Sequence, residues 1–318
     1  MLWPVSKVWA QSAAWRMGRA PRFRPPVPVI CVGNFVVGGA GKTPTCLAIA
    51  RIAKGKGLKP GFLTRGYGGA AKGPLLVDPA THRADAVGDE PLLLAAAAPT
   101  VVCGDRVAGA RLLLEQRVDL IIMDDGFQNP SLAKDLSLVC VDADVGIGNG
   151  MVTPSGPLRA PLALQLRKAD ALIVIGEGEQ AEPLIRTAAR AGRPVLRATL
   201  KPARVREWRK EPLLAFAGIG RPAKFFASLD AVGATVKRTV PFPDHHRYSE
   251  DDATTLLQRA EAEKLRLVTT EKDLARLAGA TGALAKLREA ASAFAVTLEF
   301  ESPAAVGEMI EAAALKAR

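Results

Sequence analysis

Long apolar runs, aromatic residues and patterned cysteines are all scarce in this sequence. No apolar run among its 318 residues approaches the ~20 residues that a membrane-spanning helix needs. Aromatic residues make up only 5%, and no basic segment is interleaved with Phe or Tyr, so a base-stacking nucleic-acid surface is poorly supported. Cys31, Cys46, Cys103 and Cys140 lack metal-site spacing, and we expect reduced, mostly buried thiols.

Positive charge and apolar side chains are abundant. The formal net charge is +11, which favours an anionic partner such as a nucleotide, a nucleic acid or an acidic membrane surface. Hydrophobic residues make up 48% of the chain, enough to fill two hydrophobic cores at this length. We therefore expect two domains.

An apolar run at 27–32 leads into a glycine-rich turn and then a helical pattern, which is typical of a phosphate-binding loop (P-loop). Glycines let consecutive N–H groups turn toward an anion at the helix start. Lys42 would then contact the β- and γ-phosphates of a nucleotide, and the Thr43 hydroxyl a magnesium ion. The residues predicted to bind the nucleotide are Gly38, Gly39, Ala40, Gly41, Lys42, Thr43 and Pro44.

The loop departs from the strict motif, because Val36 stands where its first glycine belongs. The prediction therefore depends on the strand, turn and helix context. A plain glycine turn is one alternative. The deviant loop of partner-regulating ATPases is another, but its first lysine falls on Val37.

Two carboxylates, Asp124 and Asp125, follow an apolar strand at 120–123. Beside a phosphate-binding loop, either could hold magnesium directly or through water, with Gly126 permitting a sharp turn. The alternative is that Asp-Asp-Gly simply turns the chain.

Asp89 and Glu90 open a predicted helix and are followed by Pro91. An N-terminal cap with acids in the first turn would give the same pattern, and on the residues alone capping is favoured. Phosphoryl transfer to a hydroxyl also needs a carboxylate near the nucleophile, which makes Asp89 a candidate base.

His245 and His246 are two of only three histidines, and they lie in the second predicted domain. They could be solvated spacers, bind a metal, or face the first domain across a cleft. Since no third histidine or cysteine lies nearby in sequence, a zinc site is disfavoured.

The first fifteen residues hold three of the four tryptophans, Trp3, Trp9 and Trp15. On a helix one broad face would consist of Leu2, Val5, Val8, Trp9 and Ala13. That pattern suits an interfacial helix at a membrane surface, although a helix that packs on its own domain is the alternative. An arginine- and proline-rich connector follows at 19–28.

The remaining pattern alternates strands and helices, which predicts a parallel α/β sheet. Strands are expected at 60–64, 74–77, 100–103, 120–123, 136–141, 171–175, 194–198, 213–217, 235–240, 265–269 and 294–300. Helices are expected at 90–98, 106–116, 158–168, 180–191, 222–229, 251–263 and after 300. Ser249 and Asp252 form a predicted capping pair. An extended link at 197–209 separates the two units.

The motifs together resemble the tetraacyldisaccharide 4′-kinase family, which phosphorylates a glycolipid of lipid A synthesis at the inner membrane. The matching segments are VGNFVVGGAGKTP at 32–44, TRGYGG at 64–69, VGDEP at 87–91, DDGFQ at 124–128, SGPLR at 155–159, FPDHH at 242–246 and TEKD at 270–273. They occur in order. The family's loop also lacks the first glycine.

This resemblance implies a P-loop NTPase-type parallel sheet flanked by helices at 27–203. An interfacial helix and connector at 1–26 precede it, and a smaller α/β domain at 204–318 closes over the site. It implies ATP and Mg²⁺ as cofactors, a tetraacylated disaccharide 1-phosphate as substrate, and peripheral attachment to the cytoplasmic face of the inner membrane. No nucleic acid and no obligate protein partner is expected.

The resemblance also implies residue roles. Asp89 would be the base and His245 its partner, and Lys42 would act on the phosphates. Thr43, Asp124 and Asp125 would hold the metal. Substrate or phosphate contacts are expected at Arg65, Glu90, Gln128 and Arg159.

Two positions depart from the family pattern: Asn129 replaces a common histidine and Ala160 a common glutamate, and neither is assigned a role. A membrane-bound nucleotide switch without kinase activity and a kinase for a small soluble alcohol are the alternative functions.

Overall fold

The computed structural model describes residues 3–317, so Met1, Arg318 and the predicted apolar-face residue Leu2 lie outside the described residues. The helices are α1 (Trp3–Gly18), α2 (Lys42–Gly55), α3 (Ala84–Val87), α4 (Asp89–Ala95), α5 (Arg106–Glu115), α6 (Leu162–Lys168), α7 (Glu182–Arg190), α8 (Pro222–Ala231), α9 (Glu250–Ala262), α10 (Glu271–Arg276), α11 (Gly282–Ala290) and α12 (Pro303–Lys316). The strands are β1 (Val29–Asn34), β2 (Pro60–Thr64), β3 (Leu75–Leu76), β4 (Thr100–Val102), β5 (Leu120–Asp124), β6 (Leu136–Asp142), β7 (Ala171–Ile175), β8 (Val195–Pro202), β9 (Leu213–Ala217), β10 (Val236–Pro241), β11 (Arg266–Thr270), β12 (Ser292–Phe294) and β13 (Val296–Phe300).

A nine-stranded sheet organises the larger unit, with the strand order β13-β8-β7-β6-β1-β5-β2-β4-β3. All neighbours are parallel except β13 with β8 and β3 with β4. β1 lies between β5 and β6, and Val32 pairs in register with Asp124. The predicted parallel α/β fold is confirmed, and the carboxyl ends of β1 and β5 meet at one edge of the sheet.

The central strands are apolar on both faces because helices cover both. Val29 and Cys31 of β1 pack into one apolar cluster with residues of α1 and α5. Ile30 and Val32 point the other way, into a cluster with residues of α2 and α12. Burying a side chain of this size stabilises the fold by about 1.5–3 kcal/mol, so the strand that carries the loop is rigid.

The smaller unit has a four-stranded parallel sheet in the order β10-β9-β11-β12. The predicted capping pair is confirmed at the start of α9. The Ser249 hydroxyl accepts a hydrogen bond from the Asp252 N–H at 3.1 Å, and the Asp252 carboxylate accepts one from the Ser249 N–H at 2.9 Å.

The single strand expected at 294–300 is two strands in two sheets. β12 joins the small sheet, whereas β13 pairs antiparallel with β8 at the edge of the large one. Leu298 and Phe300 are buried there in the same cluster as Ile310 of α12, which explains why this segment returns to the first unit. The chain at 296–316 thus belongs structurally with the large sheet rather than with 204–295.

The segment expected as an extended link is largely ordered structure. β8 continues to Pro202, and a 3₁₀ helix at Val205–Arg209 follows with Trp208 buried. The two units also meet at the end of β6, where Asp142 accepts hydrogen bonds from Arg221 and from Lys224.

α1 packs on its own domain through a narrow stripe of Ser6, Ala13 and Met17. Of the described residues expected on one apolar face, Val5, Val8 and Trp9 point outward, whereas Ala13 is buried and belongs to the inner stripe. The stripe repeats at helical spacing, and the Ser6 hydroxyl donates to the Val152 carbonyl at 2.5 Å. Within residues 3–317, no helix is both long enough and apolar enough to span a bilayer.

Candidate active site

The loop between β1 and α2 has an exposed set of backbone N–H groups at a helix start. Gly41 precedes α2 with φ 76° and offers no side-chain cap, so the first helical N–H groups are available to an anion. A Cβ at Gly41 would lie 2.7 Å from Ile175 Cδ1, and Gly38 has φ 110°. Glycine is therefore required at position 41 both for its backbone conformation and for the close approach of β7.

Positive side chains converge on the same loop. The Lys42 ammonium lies 3.5 Å from the Gly38 carbonyl and 3.8 Å from Asp125 Oδ1. Arg159 contacts Asp125 Oδ1 and Oδ2 at 3.0 and 3.2 Å, and its Nε donates to the Val36 carbonyl at 3.0 Å. The structure thus brings together three of the predicted site residues, Lys42, Asp125 and Arg159.

Asp124, the last residue of β5, is buried beside the loop. Its Oδ2 accepts a hydrogen bond from the Thr43 hydroxyl at 3.3 Å, whereas its buried Oδ1 has no hydrogen-bond partner among the described residues. Burial, together with nearby Glu90, raises the pKa of Asp124 to about 6, and Lys42 opposes the shift. An orphaned carboxylate oxygen beside a hydroxyl and a phosphate loop fits Mg²⁺, which commonly binds one or two carboxylates plus phosphate oxygens.

Asp89, the first residue of α4, lies at the same edge of the sheet, next to the backbone that follows β2. The helix cap is Gly88, with φ 93°, so Asp89 is not the capping residue that its sequence pattern favoured. The residue is 3% exposed, and its carboxylate faces the second unit, where Arg276 donates to Oδ2 through Nη2 at 2.6 Å and Nε at 3.1 Å. His245 Nδ1 lies 3.7 Å from the same oxygen.

The charges around Asp89 hold it ionised. Burial raises its pKa, but the cations Lys272 and Arg276 outweigh burial, so the pKa of Asp89 lies below its ordinary value. Glu90 is paired with Lys272, whose ammonium donates to Glu90 Oε1 at 2.6 Å.

Sequence reasoning missed both cations. Lys272 lies inside the TEKD segment, to which no role was given, and Arg276 lies one helical turn after Asp273. Helical spacing could place Arg276 beside Asp273, but the contact with Asp89 spans 187 positions of sequence and has no local signal.

Of the predicted substrate residues, Arg65 is exposed to solvent, whereas the Gln128 side chain is bonded within the protein. Arg65 is exposed directly after β2. The side-chain amide of Gln128 donates to the Asn34 carbonyl at 2.8 Å and to Gln165 Oε1 at 2.9 Å, so its N–H groups do not face the cleft. Gln128 therefore supports the end of β1.

The two departures from the family pattern have internal uses. Asn129 Oδ1 accepts hydrogen bonds from the N–H and the hydroxyl of Ser131 at 2.8 and 2.6 Å, which orders the turn after β5. Ala160 is fully buried in the core.

These features add up to a recognisable chemical capability. A phosphate loop, a buried carboxylate suited to a cation and a second buried carboxylate share one edge of a sheet, with basic residues of the smaller unit opposite. Transfer of a phosphoryl group to a hydroxyl requires this combination of anion binding, charge neutralisation and a proton acceptor.

Comparisons with known proteins give the family. The family model described as tetraacyldisaccharide-1-P 4′-kinase (LpxK) matches residues 1–315. The chain is 50% identical to a tetraacyldisaccharide 4′-kinase of Rhizobium meliloti over 317 residues, covering 100% of this chain and 92% of that protein. It is 53% identical to one from Methylorubrum extorquens over 291 residues, covering 91% and 89%.

A solved structure agrees with the fold. LpxK from Aquifex aeolicus, crystallised in complex with ATP, superposes with a TM-score of 0.77 at 26% identity, covering 98% of both chains. The chain therefore belongs to the tetraacyldisaccharide 4′-kinase family.

Proposed function

We propose that this protein transfers the γ-phosphoryl group of ATP to the 4′-hydroxyl of a tetraacylated disaccharide 1-phosphate in lipid A synthesis. The observation that carries the proposal is that the loop at 38–44, the buried Asp124 and the buried Asp89 all lie at one edge of the sheet, with Gly88 packed against the backbone that follows β2. Family membership supplies the substrate class.

The loop and its neighbours bind the nucleotide in this proposal. The N–H groups around Gly41 and the Lys42 ammonium contact the phosphates, and Arg159 holds Asp125 in place. Mg²⁺, held by Thr43 and Asp124 with Asp125 close by, supplies positive charge against the phosphate oxygens when bound.

The acceptor side consists of Asp89 and residues around it. Asp89 orients the sugar hydroxyl and takes its proton, and His245 is its partner from the second unit. Arg65 and Glu90 are assigned to the substrate or its phosphates. Gln128 is reassigned from the substrate to support of the loop, because its amide is committed to Asn34 and Gln165.

Incubation of the protein with γ-labelled ATP, Mg²⁺ and the tetraacylated precursor in detergent micelles tests the function. We expect label in the lipid fraction, and none when EDTA is present or the lipid is omitted. Lipid-independent phosphate release with no labelled lipid would instead support the switch, and labelling of a soluble sugar alone would support the small-alcohol kinase.

We propose further that α1 attaches the protein to the cytoplasmic face of the inner membrane. The supporting observation is the exposure of Trp3, Trp9 and Trp15, at 55, 47 and 64%. Each ring is paired with a cation, at 3.7 Å for Lys7, 5.9 Å for Arg16 and 3.8 Å for Arg19. Tryptophans beside basic residues suit the interface of anionic lipid.

The Trp3→Ser, Trp9→Ser, Trp15→Ser triple variant is expected to bind anionic vesicles at least roughly tenfold more weakly, because three apolar rings leave the interface. Flotation with vesicles containing phosphatidylglycerol measures this. Point changes are preferable to deletion, since Ala13 and Met17 belong to the core. Leu315→Ser is the matched control, because Leu315 is 71% exposed on α12. Unchanged binding of the triple variant would contradict the attachment.

A further inference from the structure

The Arg276 side chain is held by contacts within the second unit in addition to its contact with Asp89. Its Nη1 donates to Asp273 Oδ1 at 2.8 Å and to the Gly218 carbonyl at 2.7 Å. Asp273 is fully buried and is itself held by the Tyr248 hydroxyl at 2.8 Å and the Thr270 hydroxyl at 2.5 Å. The guanidinium therefore has little freedom to choose another partner.

The same carbonyl also positions His245. The His245 N–H donates to the Gly218 carbonyl at 3.0 Å, and the residue has a left-handed φ of 56°. The Arg276 side chain and the His245 backbone thus both donate to the Gly218 carbonyl oxygen. Of these two side chains, the arginine is the one within hydrogen-bonding distance of Asp89, because His245 Nδ1 is 3.7 Å away while Arg276 Nη2 is 2.6 Å away.

We propose that Arg276 is a positioning residue for phosphoryl transfer, which fixes the Asp89 carboxylate through Oδ2 so that Oδ1 receives the proton of the acceptor hydroxyl. Within the described residues, Oδ1 makes one hydrogen bond, from the Glu90 N–H at 3.0 Å, which leaves it acceptor capacity. The inference rests on the proposed function.

The chemistry needs orientation more than a strong base. The acceptor oxygen bonds to the γ-phosphorus as the bond from that phosphorus to the bridging oxygen of ADP breaks, and the hydroxyl proton passes to Asp89 Oδ1. In a loose transition state the nucleophile has formed little bond, so a fixed, ionised carboxylate is better suited than a mobile one of high pKa.

The charged groups facing Asp89 come from three elements. Arg276 and Lys272 belong to α10, His245 to the loop after β10, and Glu90 to α4 itself. Asp89 and Arg276 have side chains only 2 and 9% exposed, so solvent screens their interaction weakly. Removing the arginine charge raises the pKa of Asp89 and lets protons compete for it as the pH falls.

The test compares Arg276→Met with Arg276→Lys, in kinetic assays with the lipid acceptor from pH 5.5 to 8. We expect Arg276→Met to lower kcat/KM for the lipid by about 100-fold at pH 8, from misplacement of Asp89, with KM for ATP nearly unchanged. The loss should grow further toward pH 5.5, because burial then raises the pKa of Asp89 with one cation fewer to oppose it, and protons begin to compete for the carboxylate. Arg276→Lys should recover most of the activity and a profile like that of the parent.

A double-mutant cycle separates positioning from general structure. In an Asp89→Asn background, Arg276→Met should cost almost nothing more, because the group through which it acts is gone. Arg288→Met, on the exposed face of α11 in the same unit, is the control and should match the parent protein. Should Arg276→Met fail to fold, Arg276→Gln is assayed in the same way, since it keeps N–H donors without charge.

A loss that is constant with pH and persists beside Asp89→Asn overturns the proposal, as does full or increased activity of Arg276→Met. The parent protein distinguishes this from failure of the proposed function. If the parent does not label the lipid, the function is wrong. If the parent labels the lipid and the Arg276 variants give one of these overturning results, only the role of Arg276 is wrong.

Discussion

Asp89→Asn is expected to lower kcat for lipid phosphorylation by about 10²–10⁴-fold, the usual contribution of a positioned acid or base. The amide keeps the size of the side chain but cannot take up the hydroxyl proton. ATP binding should change less than about twofold, since the loop at 38–44 is untouched. Steady-state kinetics and titration with a fluorescent ATP analogue measure the two quantities.

Asp85→Asn is the matched control, because Asp85 is exposed on α3 only four positions away. It should leave both kcat and ATP affinity unaltered. Equal losses of turnover and ATP affinity in Asp89→Asn would contradict its role as base, and unchanged turnover would do so more directly.

Asp124→Asn is expected to make the metal-free protein more stable and the enzyme nearly inactive. The rise in the pKa of Asp124 from 3.8 to about 6 corresponds to about 3 kcal/mol of instability at neutral pH. The buried, unpaired amide of asparagine is itself destabilising and offsets part of this gain. We therefore expect the free energy of unfolding at pH 7.5 in EDTA to increase by about 1–2 kcal/mol. Urea denaturation measures it, and turnover should fall by at least about 10²-fold.

The pH dependence follows from the sign of the shift. Folded Asp124 binds a proton more readily than the unfolded chain does, so its contribution to stability is fully present below pH 3.8 and is lost as the pH rises through about 6. The gain in Asp124→Asn should therefore be complete above that range and absent below it. Asp125→Asn, whose carboxylate is 35% exposed and paired with Arg159, should show no such gain. A less stable Asp124→Asn at pH 7.5 would disprove the explanation.

The parts that local chemistry determines were predictable. The glycine loop, the apolar strand ending in Asp124 and the Ser249 cap depend on neighbours within a few residues, and β2, β7 and β9 occupy the predicted positions. The meeting of Asp124 with Thr43 follows because parallel strands align their carboxyl ends at one edge.

The parts that depend on partners distant in sequence were not predictable. The stripe of α1 that faces the core is set by what it packs against, so the apolar pattern could not separate the buried Ala13 from the exposed Val5, Val8 and Trp9. β13 has the same alternation as any half-buried strand, and only the edge of β8 decides which sheet it joins. Asp89 looked like a cap because Asp-Glu-Pro is typical of a helix start, and its arginine partner lies 187 positions away in sequence.

The return of β13 to the large sheet makes the smaller unit an insertion with two attachment points rather than an appended tail. Its chain leaves after Pro202 and re-enters at Val296, residues paired with each other, and the Ala203 N–H donates to the Ala295 carbonyl at 2.9 Å between them. The two chain crossings therefore lie side by side and form a two-strand hinge. Rotation of the insertion about this hinge is the motion that the connectivity permits most freely. A short turn joining 203 to 295 would remove the whole insertion and leave β8 and β13 as an ordinary hairpin.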